Sequence, residues 1–367
     1  MSKPASPLVI GVLGLLLFST VIGAAFAGGS ALGPAAGSPI TPATDMSSSN
    51  SVGSTQVSQA EHSMQTGQGP PTREDAAMAY DAKDGYVVMY GGFSGGVCLG
   101  DTWTYANGTW TQIFGSAPSA RCGTAMAYDA KDGYVVLFGG VSNNGVLFSG
   151  TFAFSHGHWT QIVSSPSPRP SIGASIVYDA KDGYVVLFGG EAVAKNKTTY
   201  LGGTWTYSNG TWTQLAPVSS PAARAWGSMA YDAKDGYVVL FGGDDPIVGG
   251  LFGGTWTFAH GKWTQLHPNL EPAAREYSSM TYDATDGYLV LFGGGGHNIV
   301  FHDTWTYVNG NWTKLSPPSY PISRFSASMT YDSGDGYALL FGGIGPGPRG
   351  NDLNDTWSFV GGNWTQV

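Results

Sequence analysis

Residues 125–140 read AMAYDAKDGYVVLFGG, and residues 204–215 read TWTYSNGTWTQL. Variants of these two segments alternate along the chain from residue 73 to residue 367. The Gly-Gly pair that ends the first segment begins at residues 91, 139, 189, 242, 293 and 342, so one copy is about 50 residues long. Six copies of this period predict a radial array of similar units.

Each copy contains four short segments that are typical of β-strands. The first ends in a Tyr-Asp pair and leads into an Asp-Ala-Lys-Asp-Gly turn, whose aspartates can accept bonds from local backbone N–H groups. The second, residues 134–138, is continuously apolar, as expected of a strand covered on both faces. The third alternates, and Asn209-Gly210 predicts a two-residue hairpin into the fourth. We therefore expect an all-β fold, a six-bladed β-propeller of four-stranded antiparallel blades over residues 73–367.

The composition fits this fold and excludes several others. The chain has 367 residues, of which 42% are hydrophobic, so it can bury a large core and is not globally disordered. Gly, Thr, Val and aromatic residues dominate, which disfavours long helices. A formal net charge of −9 argues against a nucleic-acid partner.

The repeat resembles the Kelch family of β-propellers. The resemblance covers residues 73–367 and is carried by the apolar strand ending in Gly-Gly, the aromatic third strand and the fourth-strand Trp at positions 110, 159, 212, 263, 312 and 364. It implies a binding platform more often than an enzyme, because function on this fold resides in added sites.

The same resemblance extends to the central propeller of galactose-oxidase-like enzymes and to sialic-acid epimerases. A copper oxidase of that type needs Tyr, His and a Tyr–Cys cross-link, and no two histidines fall in the columns expected at the channel mouth. An epimerase or mutarotase would need an arginine and a carboxylate there, which Arg275 with Glu74, Asp75 or Glu276 could supply. A carbohydrate-active enzyme is thus the alternative to a binding module, although we name no catalytic residue and no cofactor.

The N-terminal segment predicts export. Residues 8–27 carry no charge, Lys3 precedes them and Ala25-Phe26-Ala27 ends them, so residues 1–27 are either a cleaved signal peptide or a membrane anchor. Residues 28–72 are rich in Ser, Thr, Gly and Pro and are expected to form a flexible linker. We expect a secreted or cell-surface protein, attached to the membrane if the segment is retained.

What departs from the repeat is the candidate for function. Trp226 is the one tryptophan outside the third-strand and fourth-strand columns, and Tyr277 and Phe325 lie at the same point of the next two copies. Beside them runs a column of arginines, interrupted by Ser171 in the third copy: Arg73, Arg121, Arg224, Arg275 and Arg324.

Two interpretations of this group are open. Guanidinium groups and aromatic rings around a channel mouth would suit a glycan or an anionic small molecule, and a protein could dock on the same face. The loops at 191–203, 244–254 and 344–355 vary in length and belong to that face. Alternatively, the arginines tie adjacent blades together through backbone carbonyls or through Asp101, Asp303 and Asp355, whose position is occupied by Gly in the other three copies.

Further predictions concern covalent modification. Cys98 and Cys122 fall on the same face of neighbouring blades, and an exported chain favours a disulfide between them over free thiols. Six Asn-x-Ser/Thr sequons are candidate glycosylation sites, although four of them follow from the repeat itself. They begin at Asn107, Asn196, Asn209, Asn311, Asn354 and Asn363.

We predict no metal site. The seven histidines show no ligand spacing. His297, His302 and Asp303 share one loop and could form a three-ligand set, but no further partner that would orient these ligands accompanies them in the sequence. The Asp-rich turns lack the alternating carboxylates of a calcium loop, so a turn role is favoured for them.

Overall fold

The computed structural model describes residues 69–194, 197–346 and 350–367. Within these ranges the regular structure is entirely β, with six four-stranded antiparallel sheets and five two-stranded hairpins. The predicted fold class is therefore confirmed. The predicted signal or anchor segment (residues 1–27) and most of the linker (28–72) lie outside the described residues. Among the described residues, no helix has the length and apolar character needed to cross a membrane.

The strands follow one another in chain order, and a small hairpin separates the second and third strands of every sheet except that of blade 2. Blade 1 consists of β1 (Ala77–Asp81), β2 (Tyr86–Tyr90), hairpin β3 (Phe93–Ser94) and β4 (Val97–Cys98), β5 (Thr102–Ala106) and β6 (Thr109–Ile113). Blade 2 consists of β7 (Ala125–Asp129), β8 (Tyr134–Phe138), β9 (Thr151–Ser155) and β10 (His158–Ile162). Blade 3 consists of β11 (Ser175–Asp179), β12 (Tyr184–Phe188), hairpin β13 (Glu191–Ala194) and β14 (Lys197–Tyr200), β15 (Thr204–Ser208) and β16 (Thr211–Leu215).

The second half of the ring repeats this order. Blade 4 consists of β17 (Ser228–Asp232), β18 (Tyr237–Phe241), hairpin β19 (Asp244–Asp245) and β20 (Gly250–Leu251), β21 (Thr255–Ala259) and β22 (Lys262–Gln265). Blade 5 consists of β23 (Ser279–Asp283), β24 (Tyr288–Phe292), hairpin β25 (Gly295–Gly296) and β26 (Ile299–Val300), β27 (Thr304–Val308) and β28 (Asn311–Lys314). Blade 6 consists of β29 (Ser328–Asp332), β30 (Tyr337–Phe341), hairpin β31 (Ile344–Gly345) and β32 (Asn351–Asp352), β33 (Thr356–Val360) and β34 (Asn363–Gln366).

The first strands of the blades line the central axis, and each contacts its two neighbours, including β29 with β1. Every blade takes its four strands from one copy of the repeat, so the ring closes without a strand exchanged between the two ends of the chain. The apolar second strands pack between blades, as their sequence predicts. Val135 and Leu137, for example, share a core cluster with Val88 and Tyr90 of the preceding blade.

The Asp-rich turns lie on one face of the disc, and their role in the turn is confirmed. Asp129 Oδ1 accepts bonds from the backbone N–H groups of Lys131 and Asp132, and Gly133 closes the turn at a φ of 73°. The other five copies repeat this arrangement. We call this side the turn face, and the opposite side, which carries the small hairpins, the loop face.

Candidate functional site

A closed ring of backbone hydrogen bonds forms the channel mouth on the loop face. One residue of each blade, just before the first strand, donates its N–H to the carbonyl of the corresponding residue in the preceding blade, at 2.8–3.3 Å. All six adopt positive φ, between 51° and 65°. The residues of this ring are Asp75, Gly123, Gly173, Trp226, Tyr277 and Ser326. They line a cavity of about 140 Å³, which is small enough to admit only the end of a ligand.

The five arginines stand next to this ring, but their side chains are buried inside the blades. None is more than 4% exposed. In each, Nε donates to the carbonyl two residues earlier, and one terminal nitrogen donates to the carbonyl of the first Gly of the Gly-Gly pair in the same blade, at 2.8–3.3 Å.

Further contacts of these arginines within the described ranges are also internal to a blade. Arg73, Arg275 and Arg324 form bidentate pairs with Asp101, Asp303 and Asp355. The guanidinium groups of Arg121, Arg224 and Arg275 lie over the rings of Phe148, Phe252 and Phe301, 3.9–4.1 Å from the ring centres.

The expectation that these guanidinium groups face the channel mouth is therefore corrected. Their backbone groups do connect blades, since Gly92 N–H donates to the carbonyl of Arg121 in the next blade. A Cβ on Gly91 would lie 2.5 Å from that same carbonyl oxygen, so the close approach of the blades requires glycine there.

The three aromatic residues do meet at the mouth, and each is partly buried. Trp226 stacks on Tyr277 with 4.6 Å between ring centroids and 27° between planes, and Phe325 approaches Tyr277 at 6.1 Å. A Cβ on Gly173 would lie 2.6 Å from Trp226 ring atoms, so the indole packs closely against Gly173 as well as against Tyr277. Trp226 also packs against the apolar cluster that contains Cys98 and Cys122.

A set of carboxylates surrounds the aromatic residues, and the sequence had singled out only Glu74, Asp75 and Glu276 among them. Asp244 is 4% exposed, and its Oδ1 has no hydrogen-bond partner among the described residues; the same holds for one side-chain oxygen of Asp75 and of Glu276. Asp244 forms a β-bridge with Ala225, the neighbour of Trp226. Glu276 directly precedes Tyr277, so both carboxylates lie beside the stacked aromatic residues.

Burial and mutual repulsion raise the pKa values of this group. The pKa of Asp244 rises to about 7 through burial and then through the charges of Glu191 and Asp245. That of Glu276 rises to about 8, through burial and then through Asp244, Glu191 and Asp75. Burial, with Asp75 and Asp352, raises the pKa of Glu74 to about 10, and burial raises that of Asp75 to about 7. The mouth thus concentrates carboxyl groups that no described cation neutralises.

Exposed aliphatic side chains surround the mouth at the tips of the loops between second and third strands. They lie on blades 1, 2, 4 and 5: Val97, Val146, Ile247, Val248 and Ile299, each 49–68% exposed. The corresponding tips of blades 3 and 6 include residues 195–196 and 347–349, outside the described ranges.

Blade 3 differs from the others where the arginine column is interrupted. A cavity of about 210 Å³ lies there, lined by Ser171, Gly189, Leu201, Gly203 and Arg169 among others. A further cavity of about 380 Å³ opens at the turn-face end of the channel. It is lined by the tyrosine of each Tyr-Asp pair, a feature that the repeat contains but that we did not predict.

The structure also places the two cysteines, five of the six sequons and the histidines of the blade 5 loop. Cys98 and Cys122 form a disulfide between blades 1 and 2, as predicted. Asn107, Asn209, Asn311, Asn354 and Asn363 are exposed, and Asn196 lies outside the described residues. His302 stacks on Tyr320, and the carboxylate of Asp303 is engaged by Arg275 and Trp305. Within the described ranges, no group of three or more His, Cys, Asp or Glu side chains could hold a metal ion.

Comparison with known proteins relates the chain to a family and to solved structures of the same fold. The family model described as the KLHDC2/KLHL20/DRC7 Kelch-repeats domain matches residues 44–243. A solved structure titled "Structure of YjhT" aligns with 82% of this chain and 98% of its own, with a TM-score of 0.60 and 15% sequence identity, a level at which the likeness shows the fold alone. A comparison with curated proteins finds no match.

Proposed function

Because the chain belongs to the Kelch-repeat family, we propose that it is a binding module that docks a partner protein on its loop face. The observation that carries this proposal is the set of exposed aliphatic tips around the mouth. Ile247 and Val248 are 65% and 68% exposed at the tip of the blade 4 hairpin. Apolar side chains projecting from several loops of a rigid scaffold are typical of protein–protein docking surfaces.

The carboxyl groups of the channel mouth indicate which kind of partner segment the loop face favours. Asp244 and Glu276 each keep one carboxyl oxygen without a hydrogen-bond partner among the described residues, and both lie beside the aromatic residues. A basic side chain would place its alkyl chain against Tyr277 and Phe325 and its charge among the carboxyl groups, where it would lower their raised pKa values and favour their charged form. We therefore propose a partner with a basic segment.

A glycan or an anionic small molecule fits the mouth less well. The arginines that would have bound an anion are turned into the blades. The Trp226 indole already lies against Gly173 and stacks on Tyr277, so less of its surface remains for a sugar ring. The enzymatic alternative required Arg275 beside a mouth carboxylate, whereas Arg275 donates to Asp303 inside blade 5.

We also propose that the protein is exported, with residues 1–27 as a signal peptide or an anchor. The disulfide between Cys98 and Cys122 supports this proposal, since structural disulfides persist mainly in oxidising compartments. Detection of the tagged chain outside the cell, or on its surface, would test it.

The binding proposal is tested by selecting a display library of random twelve-residue peptides on the purified chain. We expect enriched peptides that contain basic residues and that lose at least tenfold in affinity for the double variant Ile247→Ser, Val248→Ser. The matched control is Val360→Ser, which changes an exposed aliphatic residue on the turn face. Failure to enrich any peptide, or equal binding to the loop variant, would contradict the proposal.

A further inference from the structure

Five of the six blades contain the same internal binding slot for a guanidinium group. In each slot Nε donates to the backbone carbonyl two residues before the arginine, and a terminal nitrogen donates to the carbonyl of the first Gly of the Gly-Gly pair. Three slots add an aspartate, and three place a Phe ring under the guanidinium group. Five blades therefore hold a guanidinium group through the same two backbone carbonyls.

Blade 3 preserves the backbone of this slot but has a serine in place of the arginine. The N–H of Ser171 donates to the carbonyl of Phe148, and its carbonyl accepts from Gly140, just as the backbone of Arg224 bonds to Leu201 and Gly190. The Cβ of Ser171 therefore points where the arginine side chains begin. Because serine is too short to fill the slot, a cavity of about 210 Å³ occupies it.

The groups around this cavity match those that bind the arginines elsewhere. Its lining includes Arg169, two residues before Ser171, and Gly189, the first Gly of the pair, so both residues that supply carbonyl acceptors in the other blades are present. Three of its lining residues are exposed, which marks the side on which it opens to solvent: Arg169, Gly202 and Gln214.

We propose that the blade 3 cavity binds a guanidinium group from outside the chain, as carried by an arginine side chain of a peptide or protein. This site is separate from the channel mouth and does not depend on the proposed function. In the other blades, two different nitrogens of one planar guanidinium group donate to the two carbonyls. A lysine ammonium has a single nitrogen and cannot form both bonds in this geometry.

The slot does not require a carboxylate. Gly254 stands in blade 4 where Asp303 stands in blade 5, yet Arg224 is buried there with its carbonyl contacts and Phe252. Burial lowers the pKa of Arg224 to about 10, which leaves it charged at neutral pH. Blade 3 has Gly203 at that aspartate position, so its cavity resembles the slot of blade 4.

The experiment uses ethylguanidinium as the probe and n-butylammonium as the matched cation, each titrated at low millimolar concentration into the purified full chain and followed by NMR. We expect ethylguanidinium to perturb the resonances of Gly189 and Leu201, and n-butylammonium to have at least a tenfold weaker effect. Ser171→Arg and Ser171→Met fill the cavity and should abolish the perturbation. Ser171→Ala leaves the cavity open and should retain it.

Equal effects of the two cations, or perturbation that persists in Ser171→Met, would show that the probe binds elsewhere or by charge alone and would overturn the proposal. Absence of any perturbation in the wild type would overturn it as well. The two cavity-filling variants guard against misfolding of one of them, and the peptide selection described above reports separately on the loop face.

Discussion

Trp110 in blade 1 donates its indole N–H to the hydroxyl of Thr356 in blade 6, at 3.0 Å, and so joins the first blade of the chain to the last. Each fourth-strand Trp makes the same bond to the Thr that begins the third strand of the preceding blade. The other five pairs are Trp159–Thr102, Trp212–Thr151, Trp263–Thr204, Trp312–Thr255 and Trp364–Thr304, all at 2.9 Å except Trp312–Thr255 at 2.8 Å. The ring is thus closed by the bond that the repeat uses at every blade boundary.

The first prediction concerns this closure. Thr356→Val keeps the side-chain shape but leaves the buried Trp110 N–H without its acceptor, and we expect a loss of about 1–3 kcal/mol in the free energy of unfolding. Urea denaturation measures it. Thr204→Val, which removes the acceptor of Trp263, is the matched variant at an internal boundary and should cost a similar amount. A loss below about 0.5 kcal/mol in both variants would mean that the Trp–Thr bonds do not stabilise the ring.

The second prediction concerns the buried pair of Arg275 and Asp303. Asp303→Asn leaves the Arg275 charge without its carboxylate, and the expected loss is about 3 kcal/mol at pH 7. Burial alone would raise the pKa of Asp303, but the hydrogen bonds and charge of Arg275 hold it below its usual value. The stabilisation is therefore present above pH 4 and is lost as the pH falls through the lowered pKa.

Denaturant titrations at pH 7 and pH 3 check this sign. The difference between wild type and Asp303→Asn should shrink at pH 3, because the Asp303 carboxyl of the unfolded chain is then largely protonated and only the folded state still holds it charged. Asp235→Asn removes a charge on the turn face and serves as the control. A larger difference in acid than at neutral pH would contradict the prediction.

The sequence predicted the blades because each blade is one repeat, and the residues that shape it recur at the same positions. The apolar run 134–138 and the Asn209-Gly210 turn were interpreted correctly for this reason. The direction of the Arg275 side chain was not predictable in the same way, since a buried arginine and one facing the channel occupy the same column. The available signal was Asp303, but its counterpart is Gly in three copies, and this incomplete pattern left both roles open.

The acidic mouth and the blade 3 cavity were harder to predict for a different reason. Asp244 and Glu191 directly follow Gly-Gly pairs and begin loops of variable length, where the repeat gives no alignment. Ser171 was visible as an exception in the arginine column. That it leaves a cavity depends on how Leu201 and Gly203 pack at the end of such a loop, which periodicity does not specify.

The third prediction concerns the carboxylates of the mouth. The pKa of Asp244 is raised to about 7 by burial and by Glu191 and Asp245, so the folded state binds its proton more tightly than the unfolded chain does. Its contribution to stability is therefore fully present below pH 4 and is lost as the pH rises through 7. Asp244→Asn should be more stable than wild type at pH 8, by up to about 4 kcal/mol, and equal to it at pH 3.5.

Thermal or urea unfolding across this range measures the effect. Burial also raises the pKa values of Glu191 and Glu276, whose charges act on the same space, so the transition in stability is expected to be broad. Asp235→Asn on the turn face should not follow this pH dependence. An Asp244→Asn variant that is less stable than wild type at pH 8 would show that the carboxylate is compensated by a contact within the fold.

The fourth prediction rebuilds in blade 3 the arginine–aspartate pair that blade 5 contains. Ser171→Arg supplies the guanidinium group, and Gly203→Asp supplies the carboxylate at the position equivalent to Asp303. Each single change supplies only one member of the pair, whereas the double variant can form the bidentate pair. We expect the double variant to be more stable than the sum of the two single effects by about 1–3 kcal/mol, which a double-mutant cycle in urea measures directly. A coupling near zero would mean that the blade 3 cavity has lost the shape of the arginine slot.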